Sequence, residues 1–183
     1  MLVLGSKSPR RKEILEMANI PFIIDSSDAK EDIIETDPYK YAIKTAKKKS
    51  IDLLKKHKSD IILTCDTVVY IDGNILGKPK DFNDCYKMIK MISGKCHEVI
   101  TGVFIGNNDN NDSFFVSTKV YVSKMTDEEI LEYINTKEPY DKAGGYAIQG
   151  LFGKFIERIE GDYYNVVGLP LNEVYNTLKK YKK

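Results

Sequence analysis

Apolar residues in this chain fall into short β-branched runs, set between segments with helical spacing. The triplet Leu2-Val3-Leu4 predicts a short buried strand. A helix is expected from Pro9 to Ala18, with Ser8 as N-cap, Pro9 in the first helical position and Ile14, Leu15, Met17 and Ala18 on one buried face. Residues 21–24 predict a second strand, and the acidic stretch 25–37 reads as loop. A helix over 38–56 follows, with Tyr39, Ala42, Ile43, Ala46, Ile51 and Leu54 as its apolar stripe. The run Lys47-Lys48-Lys49 within it is of the kind that usually forms a solvated face.

The run Ile61-Ile62-Leu63-Thr64-Cys65-Asp66-Thr67-Val68-Val69-Tyr70 predicts a buried strand, because β-branched and apolar residues fit a pleated surface covered on both sides. Asp72-Gly73 then marks a hairpin turn that needs positive φ, with Ile75-Leu76 as the returning arm. Residues 81–92 predict a helix burying Cys85, Met88, Ile89 and Ile92, closed by Ser93-Gly94. Strands are expected over 97–105 and 116–122, joined by the polar loop 106–112. Thr126 and Glu129 form a capping signature for a helix reaching Asn135. Six of the 12 glycines lie between 144 and 168, and a last helix is expected over 171–181. There is no repeat and no linker, so the 183 residues read as one domain, 1–183.

Composition narrows the function classes. Charge is balanced, 28 basic against 27 acidic residues, so no global field favours nucleic acid or membrane surfaces. No apolar run approaches the ~20 residues of a spanning helix. Cys65, Cys85 and Cys96 are an odd number without CxxC spacing, and read as buried thiols in a reducing compartment. With 2 histidines, a His-rich metal site is disfavoured, while oxygen-ligated Mg²⁺ or Mn²⁺ stays open.

Two stretches carry candidate chemistry. Asp66 interrupts the apolar run of the central strand. Either the strand ends near Thr64 and Asp66 caps a turn, or Asp66 emerges at a strand end as a functional carboxylate. Buried ionised groups are costly unless paired or metal-bound. The second stretch is Gly5-Ser6-Lys7-Ser8-Pro9-Arg10-Arg11, where hydroxyls, helix N–H groups and three cations lie together. That is anion-binding chemistry, although it lacks the P-loop pattern. The same residues also suit an ordinary capped helix with a basic first turn. Cations beside the positive end of a helix dipole are then mildly anomalous.

Six blocks occur in one order: Ser6-Lys7-Ser8-Pro9-Arg10-Arg11, Cys65-Asp66-Thr67, Gly77-Lys78-Pro79, Ser93-Gly94-Lys95-Cys96-His97, Asp141-Lys142-Ala143-Gly144-Gly145-Tyr146 with Ile148-Gln149-Gly150, and Asn165-Val166-Val167-Gly168-Leu169-Pro170. In these blocks the chain resembles the Maf family over nearly its whole length. The last block looks like the subgroup acting on dTTP and UTP, rather than the one acting on 7-methyl-GTP. Cys65 stands where the family usually has alanine, and Gly145 and Ala147 flank Tyr146 where Ala and Gly are usual. Neither departure removes a functional group.

The resemblance implies an α/β fold with an elongated mixed sheet flanked by helices and two lobes with a central cleft, similar to the inosine-triphosphate pyrophosphatases. It implies a cytoplasmic, metal-dependent nucleoside triphosphate pyrophosphatase that uses Mg²⁺ or Mn²⁺, often dimeric, with no membrane and no stable nucleic acid complex. The family's catalytic base falls on Asp66, which with Glu31 would also face the metal. Its substrate-binding positions fall on Ser6, Arg10, Arg11, Lys49, Thr67, Lys78 and Gln149, of which one of the tandem arginines, Thr67 and Gln149 are linked to specificity. Two other classes stay on the page: a nucleotide- or nucleic-acid-binding regulator without turnover, and a pyrophosphatase for purine nucleotides.

Overall fold

Local sequence chemistry builds a mixed α/β fold, and the computed structural model describes residues 1–26 and 32–181 of it. The elements, in order, are β1 (Leu2–Leu4), α1 (Pro9–Met17), β2 (Ile23–Ile24), α2 (Pro38–Lys56), β3 (Ile61–Ile71), β4 (Asn74–Leu76), α3 (Phe82–Ile92), β5 (Cys96–Gly106), β6 (Asn111–Val122), α4 (Asp127–Ile134), β7 (Ile156–Glu160), α5 (Tyr163–Val167) and α6 (Leu171–Leu178). The seven strands form one sheet in the order β2-β1-β3-β5-β6-β7, with β4 paired to β3. β1 runs parallel to both β2 and β3, whereas β4 is antiparallel to β3 and β7 to β6. The mixed α/β class expected from the sequence therefore holds.

The chain packs as two compact units. The first comprises Met1–Asp66, Thr101–Val116 and Gly168–Lys183. Its core joins Val3, Ala46, Leu53, Ile62 and Phe104. Gly102 lets α2 lie directly on β5, since a Cβ there would sit 2.2 Å from the Ala42 carbonyl. The Asp37 carboxylate caps α2 by accepting from the N–H groups of Tyr39 and Lys40. The second half of α2 departs from the expected stripe. Ser50 and Leu53 are buried, while Ile51 is 51% exposed. Ser50 is tolerated inside because its hydroxyl donates to the Lys47 carbonyl. In α1, Ile14 and Leu15 are buried as expected, but Met17 is exposed, because the helix ends there and Ala18 is its C-cap. The second strand shrinks to two exposed residues at the sheet edge.

The second unit comprises Thr67–Ile100 and Ser117–Val167. The hairpin between β3 and β4 turns on Asp72 (φ 48°) and Gly73 (φ 79°), as the dipeptide demands. Helix α3 buries Cys85, Met88, Ile89 and Ile92, the four expected positions. Ile89 and Ile92 are fully buried, and truncating either to Ala would cost about 2–5 kcal/mol. The capping box of α4 is complete, with Thr126 and Glu129 each bonded to the other's backbone N–H. Two elements have no counterpart in the sequence expectations, β7 and α5. Cys96, the first residue of β5, is exposed, contrary to the expectation of three buried thiols; Cys65 and Cys85 are buried. Among the described residues no helix is long and apolar enough to cross a membrane.

Candidate functional site

Asp66 is neither at a strand end nor in a turn. β3 continues through it to Ile71, and the residue is 7% exposed. The run 61–70 thus forms the expected strand, whereas both alternatives for Asp66 placed a strand end near it. The carboxylate is held there by a tertiary partner: Lys49 Nζ donates to Asp66 Oδ1 at 2.7 Å. Periodicity explains the meeting. Residues two apart share one face of a strand, and residues three apart share one side of a helix. Thr64 and Asp66 therefore meet Ala46 and Lys49 on α2, with the Thr64 hydroxyl donating to the Ala46 carbonyl at 2.7 Å. Lys49 thus differs from its neighbours in the lysine run. Lys47 is exposed and Lys48 pairs with Asp32 at the surface.

The basic turn before α1 belongs to the same unit. Ser8 is the N-cap of α1, but its side chain makes no capping bond. The hydroxyl of Ser6 serves instead, accepting from the Ser8 N–H at 3.2 Å and from Arg11 Nη1 at 3.0 Å. With both acceptor positions used, the Ser6 O–H is what it can offer a ligand. Arg11 also donates from Nε to the Gly168 carbonyl at 2.8 Å. This bond answers part of the anomaly of a cation in the first helical turn, since Arg11 is held by a carbonyl as well as a hydroxyl. It also gives the Asn165–Pro170 block a role: Gly168 supplies the acceptor. Arg10, beside it, is half-buried.

Cys65 reports the surroundings of both pairs. Burial pushes its thiol up to about 11, opposed by the positive fields of Arg11 and Lys49 and reinforced by Asp66. The two cations and the carboxylate therefore lie within electrostatic reach of one sulfur. A thiol so placed stays protonated at neutral pH and is neither nucleophile nor metal ligand.

The second unit holds the remaining expected positions. Thr67 follows Asp66 in β3 and points to the opposite face by strand alternation. Lys78 is exposed in the turn after β4, and that turn is tied to the glycine-rich block by a bond from the Gly144 N–H to the Gly77 carbonyl at 2.9 Å. Gln149 is exposed at the third position of a turn closed by the Gly150 N–H and the Ala147 carbonyl at 3.2 Å. The structure thus joins Ser6 with Arg11 and Lys49 with Asp66 in one unit, and places Thr67, Lys78 and Gln149 in the other. Glu31 lies outside the described residues.

Sequence reasoning assigned no role to three residues that shape this region. His97, fully buried on β5, contacts the Tyr146 hydroxyl through Nε2 at 2.6 Å. Burial holds its imidazole down to about 4. Tyr146 in turn packs on Phe152, with ring centroids 4.7 Å apart. Glu138 accepts from the Leu151 N–H at 2.8 Å. His97 and Tyr146 stood inside quoted blocks, but nothing in spacing alone pairs residues so far apart.

Among the described residues no three His, Cys, Asp or Glu side chains form a metal-binding group. Mg²⁺, however, commonly takes one or two carboxylates and completes its shell with water and substrate phosphates. Asp66 fits that mode as a single hard oxygen donor, and a second donor has to come from elsewhere.

Three comparisons bear on this arrangement. The family model described as "Maf-like protein" matches residues 1–181. The dTTP/UTP pyrophosphatase of Acholeplasma laidlawii (strain PG-8A) is 47% identical over 183 residues, covering 99% of this chain and 96% of that one. The dTTP/UTP pyrophosphatase of Thermosipho africanus (strain TCF52B) is 45% identical, covering 97% of this chain and 91% of that one. Among solved structures, the Staphylococcus aureus Ham1 protein shares the fold at TM-score 0.57 and 11% identity, with 99% of each chain covered.

Proposed function

Because the chain belongs to the Maf family, we propose that it is a nucleoside triphosphate pyrophosphatase that hydrolyses dTTP and UTP, and modified pyrimidine nucleotides of the same shape, to the monophosphate and pyrophosphate. The observation that carries the reading is the mid-strand carboxylate Asp66, buried, held by Lys49 and sharing with Arg11 of the Ser6–Arg11 clamp an electrostatic influence on Cys65. A buried ion pair adds little net stability over an apolar replacement. Its presence in the middle of a core strand therefore favours a functional over a structural origin.

In this reading Asp66 accepts the proton of a water attacking the α-phosphorus. The Pα–O–Pβ bond breaks and pyrophosphate leaves. Lys49 holds one carboxylate oxygen and so fixes the orientation of the base. A triphosphate carries about four negative charges near neutral pH, so such chemistry is mostly positioning and charge stabilisation. Arg10, Arg11 and Lys78 supply positive charge, and Ser6 supplies a donor. A free Asp, with a pKa of about 3.9, is a weak base toward bulk water. A bound Mg²⁺ or Mn²⁺ would lower the pKa of coordinated water and offset phosphate charge. Asp66 and Glu31 are the residues we assign to hold it. Thr67 and Gln149 are assigned to the base, where the Gln149 amide offers one donor and one acceptor to uracil or thymine. The cytoplasm and a homodimer are the setting we propose, following the family resemblance.

The test is a panel of nucleoside triphosphates with Mg²⁺ or Mn²⁺, assayed for pyrophosphate and orthophosphate separately. UTP and dTTP are expected to release pyrophosphate as the first product. Orthophosphate first would overturn the mechanism, and tight binding without turnover would make the protein a nucleotide-binding module.

A further inference from the structure

A side-chain amide that reads uracil by one donor and one acceptor reads cytosine equally well when it is flipped. Gln149 can therefore discriminate only if its amide meets the base from a restricted set of positions, which requires that the main chain carrying it be held. One carboxylate is placed to do so. Glu138 accepts from the Leu151 N–H through Oε2 at 2.8 Å and from the Phe152 N–H through Oε1 at 3.4 Å. It thereby occupies the N-terminus of the 3₁₀ turn Leu151–Phe155, which begins two residues after Gln149. Oε1 is also 3.2 Å from the Tyr133 hydroxyl, which shares its proton with the Gly145 carbonyl at 3.0 Å. Gly150, between Gln149 and Leu151, leaves the room the carboxylate occupies, since a Cβ there would lie 2.4 Å from it and push it aside. Gln149 itself sits in the turn that the Gly150 N–H closes. The far end of the loop is anchored independently by the His97–Tyr146 contact.

Resting on the reading of Gln149 as the base-facing residue, we infer that Glu138 is a positioning residue for base selection: its carboxylate clamps the main chain of residues 150–152 and so restricts the positions from which the Gln149 amide can meet the base. Glu138 touches no reacting atom in this scheme. Its effect is on the choice among pyrimidines and less on the rate with the best one.

The experiment compares kcat/KM for UTP and CTP in the wild type, E138Q, Q149A and the double variant. The substitution in E138Q preserves volume, but puts an amide where two carboxylate oxygens face the two N–H groups. The UTP-to-CTP ratio is expected to fall about tenfold in E138Q, the size of one lost hydrogen-bond preference, with a smaller loss in UTP kcat. In the Q149A background E138Q is expected to change the ratio no further. If Q149A lowers the ratio and E138Q does not, Glu138 has no such role and the reading of Gln149 stands. If Q149A leaves the ratio unchanged, the base reading fails and takes this inference with it. An equal loss from E138Q with and without Gln149 would show a purely structural effect and overturn the inference. Should E138Q fail to fold, G150A displaces the same carboxylate without removing its charge, and an unchanged ratio there overturns the inference too.

Discussion

Lys49 Nζ stands 2.7 Å from Asp66 Oδ1, and the two side chains are only 17% and 10% exposed. Breaking such a pair from one side deprives a buried charge of its ion-pair bond. Lys49→Met is therefore expected to destabilise the fold by about 3–5 kcal/mol in urea titrations. Adding Asp66→Asn to it removes the buried negative charge and should recover part of that loss. Strictly additive effects in the double-mutant cycle would mean that the two groups do not interact.

Arg11 tests the other pair. Its Nε bond to the Gly168 carbonyl and its Nη1 bond to Ser6 use the fork of a guanidinium. A lysine ammonium cannot make both from one position. Arg11→Lys is expected to lose about 1.5–3 kcal/mol of stability, the worth of a charged hydrogen bond, and to weaken UTP binding measured by titration calorimetry. An unchanged melting curve would show that the clamp is dispensable.

His97 gives the fold a pH dependence. Its ordinary value is 6.5 and burial lowers it to about 4. The unfolded chain therefore binds the proton first as pH falls. The stability tied to neutral His97 is complete above pH 6.5 and is lost as pH drops through 4. At 1.36 kcal/mol per pH unit, that loss is about 3 kcal/mol. Over this window the wild type is expected to lose about that much more stability than His97→Asn, measured by urea titration at pH 7 and pH 4. Parallel pH profiles would contradict the assignment.

What the sequence made legible is where local chemistry decides alone. The Asp72-Gly73 turn, the Thr126–Glu129 capping box and the buried face of α3 each follow from residues within one or two turns of each other. The strand over 61–70 was also legible in its apolar run, but the seat of Asp66 in its middle was not. The carboxylate is held there by Lys49, which is 17 positions away in sequence. β7 escaped for another reason: Glu157, Arg158 and Glu160 are exposed, so its apolar alternation is faint. The phase of α2 slipped at Ser50 because a hydroxyl bonded to its own helix can be buried where an isoleucine was expected. For the candidate site, the sequence blocks named the carboxylate and the cations. They could not show that Arg11 bonds Gly168 or that Glu138 bonds Leu151, since both depend on folding.

The central claim is that Asp66 is the base. Asp66→Asn keeps the shape of the side chain and a bond for Lys49, but loses the negative charge and the proton affinity. The cations assigned to the triphosphate are untouched, so UTP should still bind by calorimetry and the variant should still unfold cooperatively. The deciding number is the rate of pyrophosphate release from UTP. It is expected to fall by about 10²–10⁴, the range for loss of a general base. A variant within about tenfold of wild-type kcat, well short of that effect, would contradict the assignment and move the base to another carboxylate.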